Sequence, residues 1–145
     1  MADLRDKRMA KVLTHYCLGL KKGEYLQISC SDLAKDLIRE IYKEALSVGA
    51  HVVPAISIPG LSEIFYTYAT KEQLEHVSEY SRFVASFFDA YLTILGGYNT
   101  KTLADADPKK MAYHAKANKS ISTIQQERMA RDEITICATQ DPTFA

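Results

Sequence analysis

The residues best equipped for chemistry in this sequence are four histidines, His15, His51, His76 and His114, and three cysteines, Cys17, Cys30 and Cys137. A hydrolytic metal centre needs several imidazole and carboxylate donors in one place, and a helix supplies two of them at HExxH spacing. No histidine here stands in that or another compact ligand spacing. There is no CxxC pair, so neither a zinc knuckle nor a dithiol redox motif is present. There is no GxSxG nucleophile turn either. Cys30 and Cys137 lie in apolar, strand-like stretches and read as buried, inert thiols. Gly96-Gly97 follows a strand, where a phosphate loop could begin. The sequence lacks GxGxxG and GxxxxGK followed by Ser or Thr, so the pair reads as a turn leaving the sheet. No catalytic residue and no metal ligand is assigned.

The elements that would position any site follow from periodicity. Residues 3–20 form a first helix, with Met9, Val12, Leu13, Tyr16, Cys17 and Leu20 on one face. After the turn KKGE, residues 25–29 form a strand. Ser31 or Asp32 caps a second helix, whose stripe is Leu33, Leu37, Ile38, Ile41, Tyr42, Ala45 and Leu46, and which ends at Gly49. Residues 51–58 form the next strand, placed at a sheet edge or bulge by Pro54, which cannot donate to a ladder. Pro59 then opens a short helix with Leu61, Ile64, Phe65 and Tyr68 on a core-facing stripe. Thr70 with Gln73 forms a capping box, so a second short helix starts after a corner. Residues 89–95 and 133–139 are further strands, separated by a helix that Asp107 caps and that runs to about Arg131. That helix has a weak stripe, in which Met111, Ala115, Ser122 and Met129 share a face with Asn118 and Gln125.

Alternating helices and strands predict an α/β fold: a three-layer sandwich with a mostly parallel, roughly four-stranded Rossmann-like sheet in the order 2-1-3-4, built by right-handed crossovers. Ligands and partners gather outside the carboxyl ends of such strands. Those ends lead into CSDLAKD, IPGLSEI and GGYNTKT. Ser31, Asp32, Asn99 and Thr100 there also suit capping and turn formation. The residues selected as lining a cavity or interface are Ser62, Glu63, Tyr66, Tyr98, Asn99 and Thr100. Tyr66 lies off its helix's stripe and, with Tyr98, is the aromatic expected to face another domain.

The chain has 145 residues, a length that suits one domain over residues 1–145. Eighteen basic and eighteen acidic residues cancel, so no global field draws it to nucleic acid or membrane. Lys109, Lys110, Lys116, Lys119, Arg128 and Arg131 spread round about half of one helix and read as a solvated face. The N-terminus MADLRDKRMAKVL has no apolar run of signal-peptide length, and the expected location is cytoplasmic.

Three runs, PGLSEIFYTYATKEQLEHVS, LAKDLIREIYKEALSVGAHVV and GGYNTKTLADADPKKMA, together resemble the aminopeptidase T-like metallopeptidases, in order and over essentially the whole chain. The resemblance implies a dimeric, two-domain exopeptidase that removes N-terminal residues from peptides with two divalent metals (zinc, cobalt or manganese). Family members carry their metal ligands in a C-terminal domain, which this sequence does not include. The implied role is that of the N-terminal, non-catalytic domain, shaping the cavity and contacting the missing peptidase domain or a second subunit, with no cofactor of its own. The alternative is a stand-alone α/β binding or dimerisation module without peptidase activity.

Overall fold

The computed structural model describes residues 3–96 and 103–141. Its centre is a four-stranded sheet of β1 (Tyr25–Ser31), β2 (His51–Ser57), β3 (Ala90–Leu95) and β4 (Thr135–Gln140). The order is β2-β1-β3-β4 and every pairing is parallel. Both the α/β class and the strand order expected from the sequence are therefore observed.

Alternation along each strand divides the sheet into two unlike faces. On one face Leu26, Ile28 and Cys30 of β1 sit level with Ala90, Leu92 and Ile94 of β3. This row packs against α1 (Leu4–Lys11), the turns that continue it, and α2 (Lys35–Val48), through Ala10, Leu13, Leu37, Ile41 and Ala45. Leu26, Ile28, Leu37, Ile41 and Leu92 are fully buried, and each contributes about 1.5–3 kcal/mol by leaving water. On the other face the cross-strand rows are Val53, Gln27, Tyr91, Ile136 and Ala55, Ser29, Thr93, Ala138. Val53, Tyr91 and Ile136 are apolar and the rest small or polar, and among the described residues the buried cluster there is compact: Phe88, Tyr91 and Ile134 with Val84.

Local signals mostly act as the sequence implies. Gly49 follows α2 with φ +89°, a left-handed turn that satisfies the carbonyls of Ala45 and Leu46. Pro54 lies on an edge strand. The amide of His51 donates inward to the carbonyl of Glu24, so the alternate positions 52, 54 and 56 face outward, and the missing N–H of Pro54 costs no ladder bond. Ser31 caps a short 3₁₀ turn, Asp32–Ala34, ahead of α2.

Two expectations are corrected and a third is refined. The first helix is α-helical only to Lys11. Residues Val12–Cys17 wind more widely, with the Leu18 amide donating to the Leu13 carbonyl at 2.9 Å. Each residue there turns through a smaller angle, so the stripe loses phase, and Val12, Tyr16 and Cys17 face solvent. The stretch after β2 holds three helices, α3 (Leu61–Tyr68), α4 (Lys71–Glu75) and α5 (Glu79–Phe87), where two were expected. Ser78 caps the third, its hydroxyl accepting from the Tyr80 amide. The long helix, α6 (Pro108–Ala130), turns inward a seam one residue round from the weak stripe: Lys110, His114, Ala117, Ile121, Ile124 and Arg128 are partly buried, while the stripe itself is half exposed, with Met111, Asn118 and Gln125 partly buried and Ala115, Ser122 and Met129 exposed.

Candidate functional site

Three strand ends converge at the carboxyl edge of the sheet. A Cβ on Gly96, just after β3, would stand 3.8 Å from Ser31 Oγ at the end of β1 and 3.7 Å from Asp141 Cβ beyond β4. The Ser31 hydroxyl accepts from the Leu33 amide at 3.4 Å. Asp141 is buried, and the first turns of α1 bring a second buried carboxyl, Asp6, into its field. Asp6 is 2% exposed and its Oδ1 has no hydrogen-bond partner among the described residues. Burial raises its pKa above the ordinary 3.8, the charge of Asp141 adds to this, and Asp3 and Asp36 contribute; a hydrogen bond with the Asp3 backbone opposes them. The sequence reading missed Asp6. Its signal was phase: Asp6, Ala10 and Leu13 step by four and three, which puts a carboxylate on the buried stripe.

Beside this edge, α3 presents the residues selected from sequence. Ser62 and Glu63 are exposed in its first turn, where the Glu63 charge complements the helix dipole. Tyr66 is half-buried against α6. Its hydroxyl lies 2.8 Å from His114 Nδ1, and Phe65 packs on the same imidazole at 5.1 Å. Tyr66, expected to face another domain, thus packs on α6 of its own chain, and with Phe65 and Lys110 it ties α3 to the rest of the molecule. Tyr98, Asn99 and Thr100 lie outside the described residues.

The stripe of α3 requires a correction. Leu61, Ile64 and Tyr68 were expected in the core, yet Ile64 is 55% and Tyr68 79% exposed, and no residue of α3 is buried. The periodicity is real, but the described residues of this chain do not cover it. Ile64, Phe65, Tyr68, Ala69 and Gln73 line an open apolar depression of about 350 Å³.

Two cations expected to be solvated on α6 instead hold the second layer together. Lys110 Nζ donates to the carbonyls of Thr67 at 3.2 Å and Ala69 at 3.5 Å, at the end of α3. Arg128 forks onto the carbonyls of Ala85 and Phe88, both at 2.8 Å, at the end of α5, and reaches the Tyr91 hydroxyl at 3.2 Å. Positive charge at a helix C-terminus meets unsatisfied carbonyls and the negative end of the dipole. Here too phase was the signal, since Arg128 continues the seam of Ile121 and Ile124.

The donor set does not fit a two-metal centre. Such a centre needs several carboxylates and imidazoles around one water site. Among the described residues no group of three or more His, Cys, Asp or Glu is placed to hold an ion. His15 pairs with Glu44 at 2.9 Å, His114 meets Tyr66, and His51 stacks on Tyr25. Burial raises the pKa of the Cys30 thiol, which keeps it protonated. Also among the described residues, no helix is long and apolar enough to cross a membrane.

A doubly layered parallel sheet with its open apolar surface beside the strand ends defines an α/β domain of the Rossmann-like kind. The sequence profile of the family described as thermophilic metalloprotease (M29) matches residues 3–145, and the chain belongs to that family. Among solved structures it is similar to wild-type AmpT from Thermus thermophilus, with a TM-score of 0.75 and 20% identity, covering 94% of this chain and 36% of that one. At that identity the likeness establishes the fold, and the chain spans about a third of that relative's length. A protein described as a LacI-family transcription regulation repressor from Corynebacterium glutamicum aligns with a TM-score of 0.46 and 18% identity, over 96% of this chain and 44% of that one. That score supports no conclusion. No curated protein matches the chain.

Proposed function

We propose that this chain is the N-terminal, non-catalytic domain of a metal-dependent aminopeptidase, and that it shapes the cavity over a metal centre carried by another domain. Membership of a metalloprotease family supports the reaction class. One observation carries the role: the apolar stripe of α3, with Leu61, Ile64 and Tyr68 in solvent beside the carboxyl ends of the strands. A monomeric soluble domain rarely leaves such a stripe uncovered, and surfaces of this kind mark contacts. In this reading α3 meets the peptidase domain or a second subunit, with Ser62 and Glu63 at the rim and Tyr66 supporting from behind. Tyr98, Asn99 and Thr100 are proposed to line the same cavity. The two divalent metals, zinc, cobalt or manganese, belong to the parent enzyme, whose substrate is the N-terminus of a peptide.

Calorimetric titration of the purified chain with zinc, cobalt and manganese, with aminopeptidase activity assayed on the same samples, tests this. The expected result is no stoichiometric binding and no turnover. Binding of two metals with activity would overturn it.

A further inference from the structure

Cys17 and Cys137, far apart in sequence, meet in the fold, and the proposed function uses neither. Cys137 projects from β4 on the face that α1 covers, level with Leu92 of β3. It packs, partly buried, against the main core. Cys17 ends the widened turns Val12–Cys17 and is exposed. The packing of these two segments is seen twice. Leu18 and Gly19, which follow Cys17, line one small cavity of about 150 Å³ together with Ile134 and Thr135 at the start of β4. Two residues further along β4, the Cys137 thiol is in hydrogen-bond contact with the sulfur of Cys17. Cys30 takes no part, because it is buried on β1 and β3 stands between it and β4.

The contact gives the two sulfurs unlike roles. Burial raises the pKa of the Cys137 thiol, and its neighbour Cys17 raises it further. A hydrogen bond that raises an acid's pKa is one that the protonated acid donates. Cys137 is therefore the donor that keeps its proton, and Cys17 is the acceptor that faces solvent. This corrects the reading of Cys137 as an inert buried thiol: an exposed thiol beside a sheltered one is the arrangement of an attacking and a resolving cysteine. Closing a disulfide draws the sulfurs to about 2 Å. Cys17 can supply that movement, since its side chain lies in solvent at the end of its turns. Gly19, two residues on, has open space around it.

We propose that Cys17 and Cys137 are a modification site, at which a peroxide converts the two thiols into a reversible intramolecular disulfide. The inference rests on the fold and does not need the proposed function. Cys17, as its thiolate, attacks one oxygen of hydrogen peroxide. The O–O bond breaks, leaving a sulfenic acid on Cys17 and releasing hydroxide, which takes the proton that Cys17 gave up and leaves as water. The sulfur of Cys137 then attacks that of Cys17. The S–O bond breaks, and the departing hydroxide takes the Cys137 proton to make a second water. Two thiols and one peroxide thus give one disulfide and two waters; each sulfur loses one electron and each oxygen gains one. A small dithiol reverses the bond by exchange. The new bond staples the turns after α1 to β4 and closes most of the chain into one loop, which restricts the unfolded state.

Treating the reduced chain with one equivalent of hydrogen peroxide tests the proposal. The intact mass should fall by two hydrogen atoms, and digestion without reductant should yield one peptide pair linked through Cys17 and Cys137. The melting temperature should rise by roughly 5–15 °C, and dithiothreitol should reverse all three changes. Cys17→Ser, at an exposed position, should fold as the parent does and show neither the link nor the rise. Cys137→Ala should likewise show neither, and it serves as the second variant. A parent chain in which Cys17 gains oxygen and forms no link would overturn the proposal. So would copies joined through Cys17 in place of the internal bond, or a Cys17→Ser chain whose melting temperature still rises with peroxide. A linked chain that melts no higher than the reduced one would overturn the staple.

Discussion

Arg128 and Phe88 are joined by a hydrogen bond from Nη2 of the first to the main-chain carbonyl of the second, at 2.8 Å. With the matching bond to Ala85, this makes Arg128 the C-terminal cap of α5, although it belongs to α6. Its side chain is only 12% exposed, so these bonds form largely out of water. The second helical layer has a small apolar cluster, and its cohesion depends on this polar joint.

Arg128→Ala leaves the Ala85 and Phe88 carbonyls without their donor. Hydrogen bonds to a charged group contribute about 1.5–3 kcal/mol, and a stranded buried acceptor costs a comparable amount. The expected loss is about 3 kcal/mol in urea unfolding. Arg128→Lys should recover only part of it, because one ammonium cannot reproduce the planar fork. A loss under roughly 0.5 kcal/mol, the range of an ordinary surface substitution, would show that the cap is decorative.

Asp6 should make the chain more stable in mild acid. Its pKa in the folded chain is raised, chiefly by burial and then by Asp141. The folded state therefore holds the proton more tightly than the unfolded state. The stabilising contribution is complete below the ordinary value of 3.8 and is lost as pH rises through the higher folded value. Asp6→Asn, which carries no charge at any pH, should unfold at higher denaturant than the parent at pH 7. The gap should close as pH falls below 3.8. A gap that does not change with pH would remove Asp6 as its cause.

Gly49 was legible from sequence, and it predicts a clear penalty. Its φ of +89° is a conformation that L-residues adopt at a cost of roughly 1–2 kcal/mol. An added Cβ would also stand 3.0 Å from Lys22 Cγ, which can move aside. Gly49→Ala should therefore lower stability by about 1–2 kcal/mol in thermal or urea melts, whereas Gly49→Asn should lose less, since Asn tolerates the left-handed region.

These cases mark how far the sequence could be read. The edge position of Pro54, the Thr70–Gln73 box and the Asp107 cap follow from local chemistry, which is written in neighbouring residues, while the strand order was a preference drawn from the alternation of elements that the structure matches. What escaped reading depends on contacts between distant segments. Arg128 and Lys110 counted as surface cations because nothing nearby in sequence shows the carbonyls they reach. Asp6 was passed over because its burial is set by α1 docking near Asp141, far along the chain. The widened turns at Val12–Cys17 change the helical period partway through a stripe, which no fixed spacing anticipates. For α3 the periodicity was read correctly, and the error lay in assuming that an apolar stripe faces its own core. The candidate site was legible as a place, the strand ends, more than as a list of side chains.

That α3 stripe gives the last expectation. A buried Ile or aromatic side chain removed from a core costs about 2–5 kcal/mol, whereas surface changes stay within about 0.5 kcal/mol. Ile64 and Tyr68 are 55% and 79% exposed, so Ile64→Ser with Tyr68→Ser should leave urea stability nearly unchanged. The same pair lines the open depression with Phe65 and Ala69. Binding of an apolar dye such as ANS to the folded chain should therefore fall. Leu92→Ala, by contrast, should unfold far more readily, since Leu92 is 1% exposed in the main core. If the α3 double variant were as destabilised as Leu92→Ala, the stripe would be covered in solution. Sedimentation equilibrium of the parent and the double variant would then separate the two covers: a parent dimer that becomes a monomer in the variant would mean that α3 joins two copies, and the same mass for both would mean that the cover comes from within the chain.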